Sequence, residues 1–282
     1  MQRRRPRRLG RRLLELQLDA LVQQAGAPDH EIVLSLNTPS PDARAALEEM
    51  LRRRDAERFR IVDSSDRRGA PHARNVGAAT STAPLLAFCD GDDIVEPDWL
   101  AQLCRGLDQY DAVGGFLDES KLATAQQRRW RPPGTPGRLP EFQGVPYIIS
   151  ANLGVRREAF EDVGGFDAEL IRGEDIAISL DLISKGYTIG YVAQASVHYR
   201  HRGGLKDLVR QYVLYGRGMT QVLAHHGLPG ADGVDKPSGL RALKPNKSPG
   251  QSMSIVTVIR RGSMLTGRIY EMLRMKYVAR RA

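Results

Sequence analysis

The chain has 282 residues, enough for one large domain or two small ones. Hydrophobic residues make up 41% of it and charged residues 27%, a balance typical of a folded globular protein and outside the range of disordered chains. Two cysteines are too few for a disulfide framework or a cysteine-rich zinc site, so we expect reduced thiols and a cytoplasmic protein.

The charge is concentrated at the two ends of the chain. The formal net charge is +9, but residues 1–12 carry +7 and residues 251–282 carry +6, which leaves −4 for residues 13–250. A mildly acidic body argues against specific nucleic-acid recognition, although the arginine arm 1–12 can bind polyanions without specificity. We expect this arm to be disordered.

Strands and helices alternate along the first hundred residues. Predicted helices cover 13–25, 42–54, 74–80 and 97–107, and predicted strands cover 31–36, 60–62 and 84–89. This alternation predicts a parallel sheet with helices on both faces, in which ligands bind beyond the carboxyl ends of the strands.

The second half of the chain is less regular. Residues 130–146 are rich in proline and glycine and predict a surface loop. The elements predicted after it are a strand at 147–155, helices at 157–163 and 174–185, a strand at 188–192 and a helix at 205–223. Residues 227–250 predict a flexible linker, and 254–278 predict a basic helix.

An acidic turn follows the third predicted strand, with the sequence Asp90-Gly-Asp92-Asp93. Clustered carboxylates repel one another, and a divalent cation relieves that repulsion. Carboxylate and diphosphate oxygens suit Mg²⁺ or Mn²⁺. The alternative is a polar turn that simply ends a strand.

Two further acids, Glu174 and Asp175, open a predicted helix. Acids in a first helical turn often do no more than complement the helix dipole. The functional interpretation is a general base that takes a proton from an acceptor hydroxyl.

Two other segments carry candidate ligand-binding groups. Arg74 and Asn75 follow a glycine-rich loop at a helix start, an arrangement suited to phosphate. His198 follows a strand and can complete an oxygen-rich metal shell as a neutral imidazole, with His201 as its rival. Each of these residues is equally compatible with a structural role.

The order of these motifs resembles that of family 2 glycosyltransferases of GT-A fold, over residues 20–225. The acidic turn resembles the Asp-x-Asp segment of that family, and Ala73-Arg-Asn-Val-Gly77 is similar to its Ala-Arg-Asn-x-Gly. The matching downstream pieces, in chain order, are Ser150-Ala-Asn152, Arg156-Arg157, Val163-Gly-Gly-Phe-Asp167, Glu174-Asp175, His198, Gln211 and Tyr215-Gly216.

The resemblance implies an α/β fold of GT-A (Rossmann-like) type. It would have a mostly parallel sheet flanked by helices, with the domain at 13–226 and a C-terminal helical extension. The implied activity is metal-dependent transfer of a sugar, with inversion, from a nucleotide-sugar to an acceptor hydroxyl. The implied cofactors are Mn²⁺ or Mg²⁺ and a nucleotide-sugar donor, with a UDP-sugar favoured.

The resemblance also implies a role for each site residue. Asp175 would be the base, and Glu174 beside it would orient the acceptor or the loop. Asp90 would contact the ribose and the metal, and Asp92 and His198 would ligate the metal. The other implied donor contacts are Asn37, Arg74, Asn75, Asp93, Gly164, Gly165 and Asp167.

Two positions depart from the family pattern. Asn37 stands where the family usually has an aspartate that reads the nucleoside base, and an amide adds a donor and removes a charge. The arginine arm 1–12 stands where the family has its first buried strand. We therefore expect either an upstream start or a fold that lacks one central strand and part of its nucleotide pocket. The alternative function is a nucleotide-sugar-binding module without turnover.

The segment 251–282 has two interpretations. It is a basic amphipathic helix that contacts a membrane surface at the inner face of the membrane, or a helix that packs on the catalytic domain or across a homodimer. Gly262 and Gly267 weaken an isolated helix, which favours packing against protein.

Overall fold

The computed structural model describes residues 5–54, 56–131, 137–201, 203–229 and 254–279. It forms two compact units, here called the sheet unit and the helical unit. The sheet unit comprises residues up to 124, 133–168 and 175–201, and the helical unit comprises 125–132, 169–174 and 202–282. The predicted linker 227–250 lies outside the described residues from 230 onward.

The sheet unit contains most of the predicted elements. Its helices are α1 (Arg5–Val22), α2 (Pro41–Leu51), α3 (Ala70–Thr80), α4 (Trp99–Leu107), α6 (Arg157–Asp162) and α7 (Glu174–Ser184), the last of which begins one residue before the unit boundary. Its strands are β1 (Ile32–Leu36), β2 (Phe59–Asp63), β3 (Leu85–Cys89), β4 (Ile94–Val95), β5 (Ala112–Asp118), β6 (Glu141–Phe142), β7 (Val145–Pro146), β8 (Asn152–Arg156) and β9 (Ile189–His198).

The strands form a divided, mixed sheet. Five strands have the order β3-β8-β5-β9-β4, and β1 pairs with β2 in a separate sheet. Pairing is parallel in β1–β2 and β5–β9, and antiparallel in β3–β8, β5–β8 and β4–β9. The predicted α/β fold with a central sheet flanked by helices is confirmed. Strands β3, β5 and β9 run in one direction, and β8 and the short β4 run opposite to them, so the five-stranded sheet is mixed.

No strand precedes α1 in the described residues. Helix α1 begins at Arg5, so the part of the basic arm that the structure describes, residues 5–12, is helical. Arginine is among the better helix formers, and Arg11 pairs with Glu15 one turn later at 3.2 Å. The first strand of the family pattern is therefore absent from the described residues. In the same structure, β1 and β2 are separate from the five-stranded sheet.

Helix α1 packs on the sheet unit through buried apolar and polar contacts. Leu18 is fully buried with residues of α2, and Leu21 joins the cluster around Trp99. The buried Gln17 side chain accepts a hydrogen bond from the Val95 amide at 3.0 Å. The helix is thereby fixed beside the end of β3 and the start of β4.

Strand β5 was not predicted, although it is the centre of the five-stranded sheet. Gly114 and Gly115 lower its strand propensity. Packing requires Gly115, because a Cβ there would lie 1.9 Å from the Ala195 carbonyl oxygen. The Asn152 side chain binds the backbone beside these glycines. It donates to the carbonyl oxygens of Phe116 and Ala195 at 3.0 and 2.8 Å.

The helical unit consists of α5 (Ala125–Trp130), α8 (Leu205–His225) and α9 (Ile255–Ala279). Helices α8 and α9 pack closely, since a Cβ at Gly216 would meet the Met264 carbonyl oxygen at 2.0 Å. Within the described residues, none of the helices is both long and apolar enough to cross a bilayer.

Candidate active site

The acidic turn after β3 is held by two arginines. Arg74 donates to Asp90 Oδ1 at 2.7 Å, and Arg200 donates to Asp92 Oδ2 at 2.8 Å. Asp93 is 1% exposed, and its Oδ1 accepts the Arg200 backbone N–H at 2.7 Å. Asp90 and Asp92 therefore each have a guanidinium partner, while Asp93 fixes the turn to the chain after β9.

Arg200 reaches Asp92 because of strand register. Ile94 of β4 pairs with His198 of β9 in an antiparallel ladder, which places the residues two before Ile94 and two after His198 opposite each other. These residues are Asp92 and Arg200. Arg200 carries no local sequence signal for this role, because the ladder that brings it to the turn is a long-range pairing.

His198 lies in a different group of charged side chains. Its Nδ1 is 3.1 Å from Asp118 Oδ2, and its Nε2 is 2.6 Å from Glu96 Oε1 and 2.7 Å from Lys121 Nζ. Burial alone would raise the pKa of Asp118, but hydrogen bonds from Ser120 and His198 lower it. Both imidazole nitrogens thus contact protein groups. His198 also lines a cavity of about 290 Å³.

The described residues contain no group of three or more His, Cys, Asp or Glu side chains arranged to hold a metal ion. His198 is thus not brought together with Asp90 and Asp92 in this structure. Its rival His201 is also buried, with Nε2 2.9 Å from Glu119 Oε1. The carboxylates at the turn itself are those of Asp90 and Asp92, whose hard oxygens are of the kind that suits Mg²⁺ or Mn²⁺.

Asn75 of α3 fastens the glycine turn that follows α6. Its Nδ2 donates to the Phe166 carbonyl oxygen at 2.7 Å, and its Oδ1 accepts the Phe166 N–H at 2.9 Å. Gly164 and Gly165 have φ of +81° and +72°, which favour glycine. A Cβ at Gly165 would lie 2.9 Å from Asn75 Oδ1, so this clamp also needs glycine for space.

Aromatic contacts link the glycine turn to the acidic turn. The rings of Phe88, Phe160 and Phe166 lie 5.3–5.5 Å apart, and Phe88 is two residues before Asp90. The Arg74 guanidinium lies 5.5 Å from the centroid of Phe166. These contacts place Arg74 between the two turns, with partly buried Asp167 directly after Phe166.

Asn37 organises the loop before α3. Its Nδ2 donates to the carbonyl oxygens of Ser64 and Arg67, the latter at 2.7 Å, and its Oδ1 accepts the Gly69 N–H at 2.9 Å. All three bonds are to backbone groups, and two of them need an N–H donor that aspartate lacks. In this structure Asn37 is a clamp for the loop, and this explains the amide at a position where the family usually has a carboxylate.

Asp175 is anchored at the same edge of the sheet as the acidic turn. Its Oδ1 accepts the Ser150 N–H at 3.1 Å. Ser150 lies two residues before Asn152, which pairs with Cys89, the residue before Asp90. Glu174, the first residue of α7, is buried at 7% exposure.

Cys89 contributes a neutral side chain behind the acidic turn. Burial raises the pKa of its thiol to about 12, and the nearby carboxylates of Asp90 and Asp93 add to the shift. Gln17 Nε2 lies 3.1 Å from the sulfur. A larger cavity, of about 730 Å³, lies near Leu85 at the opposite end of β3 and contains none of the predicted site residues.

Comparison with protein-family models gives a match to "Glycosyl transferase family 2" over residues 11–164, and to "Glycosyl transferase family group 2" over residues 142–242. The first match covers more than half of the chain. The chain belongs to glycosyl transferase family 2. The resemblance drawn from its motifs is thereby confirmed.

Curated relatives include the pre-mycofactocin glycosyltransferase of Mycobacterium tuberculosis, 27% identical over 56% of this chain and 36% of the relative. Glycosyltransferase AglE of Haloferax volcanii is 27% identical over 59% of this chain and 55% of the relative. The O-antigen biosynthesis protein RfbC of Myxococcus xanthus is 26% identical over 70% of this chain and 17% of the relative. The chain thus spans less than two thirds of each.

Solved structures show the fold. The mannosyltransferase PcManGT of Pyrobaculum calidifontis, in complex with GDP-Man and Mn²⁺, superposes with a TM-score of 0.60 at 17% identity, over 92% of this chain and 70% of that one. TarS of S. aureus, in complex with UDP-GlcNAc, gives 0.53 at 15% identity, over 92% and 78%. The predicted GT-A fold is confirmed.

Proposed function

We propose that this family 2 chain is a metal-dependent, inverting glycosyltransferase that moves a sugar from a nucleotide-sugar to an acceptor hydroxyl. The observation that carries this proposal is the anchoring of Asp175 on Ser150, at the sheet edge where β3 runs into Asp90 and Asp92. A general base and a diphosphate-binding turn at one edge are the two parts that such a transfer requires.

Asp90 and Asp92 would hold the divalent cation, Mn²⁺ or Mg²⁺. When bound, such an ion neutralises charge on a diphosphate leaving group. Each carboxylate shares one oxygen with a guanidinium, at 2.7 Å for Arg74 and 2.8 Å for Arg200, so a cation must compete with these arginines. The Arg200 guanidinium thus balances the negative charge of Asp92. His198 is a weaker candidate, because both its nitrogens face carboxylates outside the turn.

Asp175 is the proposed base. A backbone N–H donated to its carboxylate, and its place in the first turn of α7, both favour the ionised form that a base needs. It takes the proton of the acceptor hydroxyl, whose oxygen then attacks the anomeric carbon opposite the leaving diphosphate. One direct displacement inverts the anomeric configuration. Glu174 beside it would orient the acceptor or the helix start.

The donor would lie between the two turns. Asp90 would accept from the ribose, and Arg74 stands beside it as a cation for the diphosphate. Gly164, Gly165 and Asp167 would line the sugar pocket, with Asn75 as the clamp that sets their position. A UDP-sugar remains our favoured donor, although the side chain of Asn37 is directed to backbone groups and supplies no further support for any one base.

The alternative function is a nucleotide-sugar-binding module without turnover. The divided sheet favours it, since β1 and β3 each have one neighbouring strand among the described residues and are not paired with each other. A pocket at that division would be less firmly supported than one over a continuous sheet.

Nucleotide release with Mn²⁺, measured over a panel of nucleotide-sugars and simple acceptors, tests the proposal. We expect Asp175→Asn to lower the turnover rate by about 10²–10⁴-fold while donor affinity changes little. Asp92→Asn should instead weaken Mn²⁺-dependent donor binding. Asp108→Asn, an exposed position at the end of α4, is the matched control and should behave as wild type.

The outcomes separate the two functions. Donor binding without release in wild type, unchanged by Asp175→Asn, supports the binding module and overturns the enzyme. Full turnover in Asp175→Asn rejects Asp175 as the base. The anomeric configuration of the product, read by NMR, tests inversion directly.

A further inference from the structure

Helix α9 exposes an apolar face. Eight of the eleven large hydrophobic side chains that are most exposed in the described residues belong to this one helix. They are Ile255, Val258, Leu265, Ile269, Tyr270, Leu273, Tyr277 and Val278. Single exposed hydrophobic residues are ordinary, but such a concentration on one element marks an interaction surface.

Half of these side chains lie along one line. Val258, Leu265, Ile269 and Leu273 recur at helical spacing and therefore lie along one face of α9, here called the apolar ridge. Leu273 is 63% exposed and Val258 is 50% exposed. The ridge is thus an open strip several helical turns long.

The opposite face of α9 is fixed against α8, so the helix cannot turn its ridge inward. Ser263, Gly267 and Glu271 recur at intervals of four and are buried. A Cβ at Gly267 would lie 2.0 Å from the Val213 carbonyl oxygen, which shows how closely the two helices approach. Gly267 therefore serves close packing against α8, while the other face of α9 stays open.

A buried ion pair strengthens this attachment. Glu271 is 0% exposed and accepts hydrogen bonds from Arg217 Nε at 2.8 Å, Gln221 Nε2 at 3.0 Å and Arg274 Nε at 2.7 Å. Burial would raise the pKa of Glu271, but the two arginines lower it. The single acidic side chain of α9 is therefore used inside the helical unit.

The remaining charge on α9 is positive. The helix contains Arg260, Arg261, Arg268, Arg274 and Lys276. Tyr270 and Tyr277 lie on one side of the ridge, and Arg261 and Arg268 lie on the other, by helical spacing. An apolar strip between basic and tyrosine-bearing flanks matches a helix lying in the plane of a membrane interface, where tyrosines favour the headgroup level.

We propose that the apolar ridge of α9 docks on an anionic lipid surface, with the helix parallel to the membrane plane. Charge complementarity selects this occupant. A second copy of the chain would bring two positively charged helices together, whereas anionic headgroups attract the basic flank. The proposal is independent of glycosyl transfer, so its failure leaves the proposed enzymatic function unchanged.

Co-sedimentation of the full chain with lipid vesicles tests the docking surface. We expect binding to phosphatidylcholine vesicles that contain about one third phosphatidylglycerol, weak binding to pure phosphatidylcholine, and strong loss at about 0.5 M salt. The double variant Leu265→Gln/Ile269→Gln should lower vesicle affinity about tenfold or more, because both side chains lose apolar contact with the membrane.

A matched control is available on other helices. Leu16 and Leu205 are 41% and 40% exposed, close to the 45% and 44% of Leu265 and Ile269, so Leu16→Gln/Leu205→Gln removes equal apolar exposure away from α9. It should bind vesicles as wild type does. A second ridge variant, Val258→Gln/Leu273→Gln, tests the proposal if the first folds poorly, because the arginine arm 1–12 can also give the wild-type chain salt-dependent binding.

Three results would overturn the assignment. They are the absence of binding to anionic vesicles, equal binding to neutral ones, and equal losses in the ridge and control variants. A wild-type dimer in sedimentation equilibrium that the ridge variant converts to monomer, with vesicle binding unchanged, would assign the ridge to a second copy instead.

Discussion

Replacing Asn37 by aspartate, the residue usual in the family, should destabilise this protein. In the structure the Asn37 amide donates to two carbonyl oxygens, of Ser64 and Arg67, and accepts one N–H, from Gly69. Aspartate keeps the acceptor and loses both donors, so Asn37→Asp directs a carboxylate at two carbonyl oxygens in a partly buried loop.

The expected loss is about 2–4 kcal/mol. The loss of two hydrogen bonds costs about 1 kcal/mol each. Placing a negative charge against two partly buried carbonyl oxygens raises the total loss by up to about 2 kcal/mol more. In a domain of this size each kcal/mol corresponds to about 2–4 °C in Tm. Asn37→Ala removes the same donors without adding a charge, so the difference between the two variants measures the repulsion.

The destabilisation should depend on pH in a defined direction. Repulsion from the two carbonyl oxygens raises the pKa of the introduced carboxyl above its unfolded value of about 3.9. The destabilisation caused by this repulsion is therefore fully present above the raised pKa of the folded state. It disappears as the pH falls below the pKa of the unfolded state. Asn37→Ala should show no such dependence.

Urea unfolding of wild type and both variants, followed by circular dichroism at neutral and mildly acidic pH, checks these expectations. Donor affinity should be measured on the same samples. If Asn37→Asp were as stable as wild type and bound the nucleotide more tightly, Asn37 would be a base-reading residue, and its assignment as a loop clamp would be refuted.

Two further substitutions test contacts that position the site and the helices. Asn75→Ala removes both hydrogen bonds to the Phe166 backbone, so we expect a loss of about 2 kcal/mol in unfolding free energy and weaker donor binding. An unchanged unfolding midpoint would contradict the role of Asn75 as a clamp. Glu271→Gln should cost about 1–3 kcal/mol at neutral pH, because Arg217 loses its charged partner. Folding lowers the pKa of Glu271, so the extra stability of wild type is present above the unfolded pKa of about 4.3 and is lost as the pH falls through the folded pKa. An equal difference in unfolding free energy between wild type and variant at neutral and strongly acidic pH would contradict this.

Most local elements were predictable from the sequence. The helix around Leu18, the strand ending at Cys89 and the helix after Glu174 follow from residue periodicity and turn residues within a few positions. Strand β5 has no local strand signal, because Gly114 and Gly115 lower its strand propensity, and tertiary packing requires Gly115. The start of α1 at Arg5 has no apolar periodicity to mark it, because the arm consists mostly of arginines.

The sequence by itself determined the family and the α/β class. It also determined the order of the acidic turn, the glycine turn and the Glu174-Asp175 pair, because family and motif order depend on short motifs in a given sequence. Only the tertiary structure decided the partners of their side chains. Asn75 binds Phe166 across 91 residues, and Arg200 binds Asp92 across 108. A hydrogen bond depends on distance in space, and strand pairing sets that distance between residues whose separation along the chain carries no local pattern.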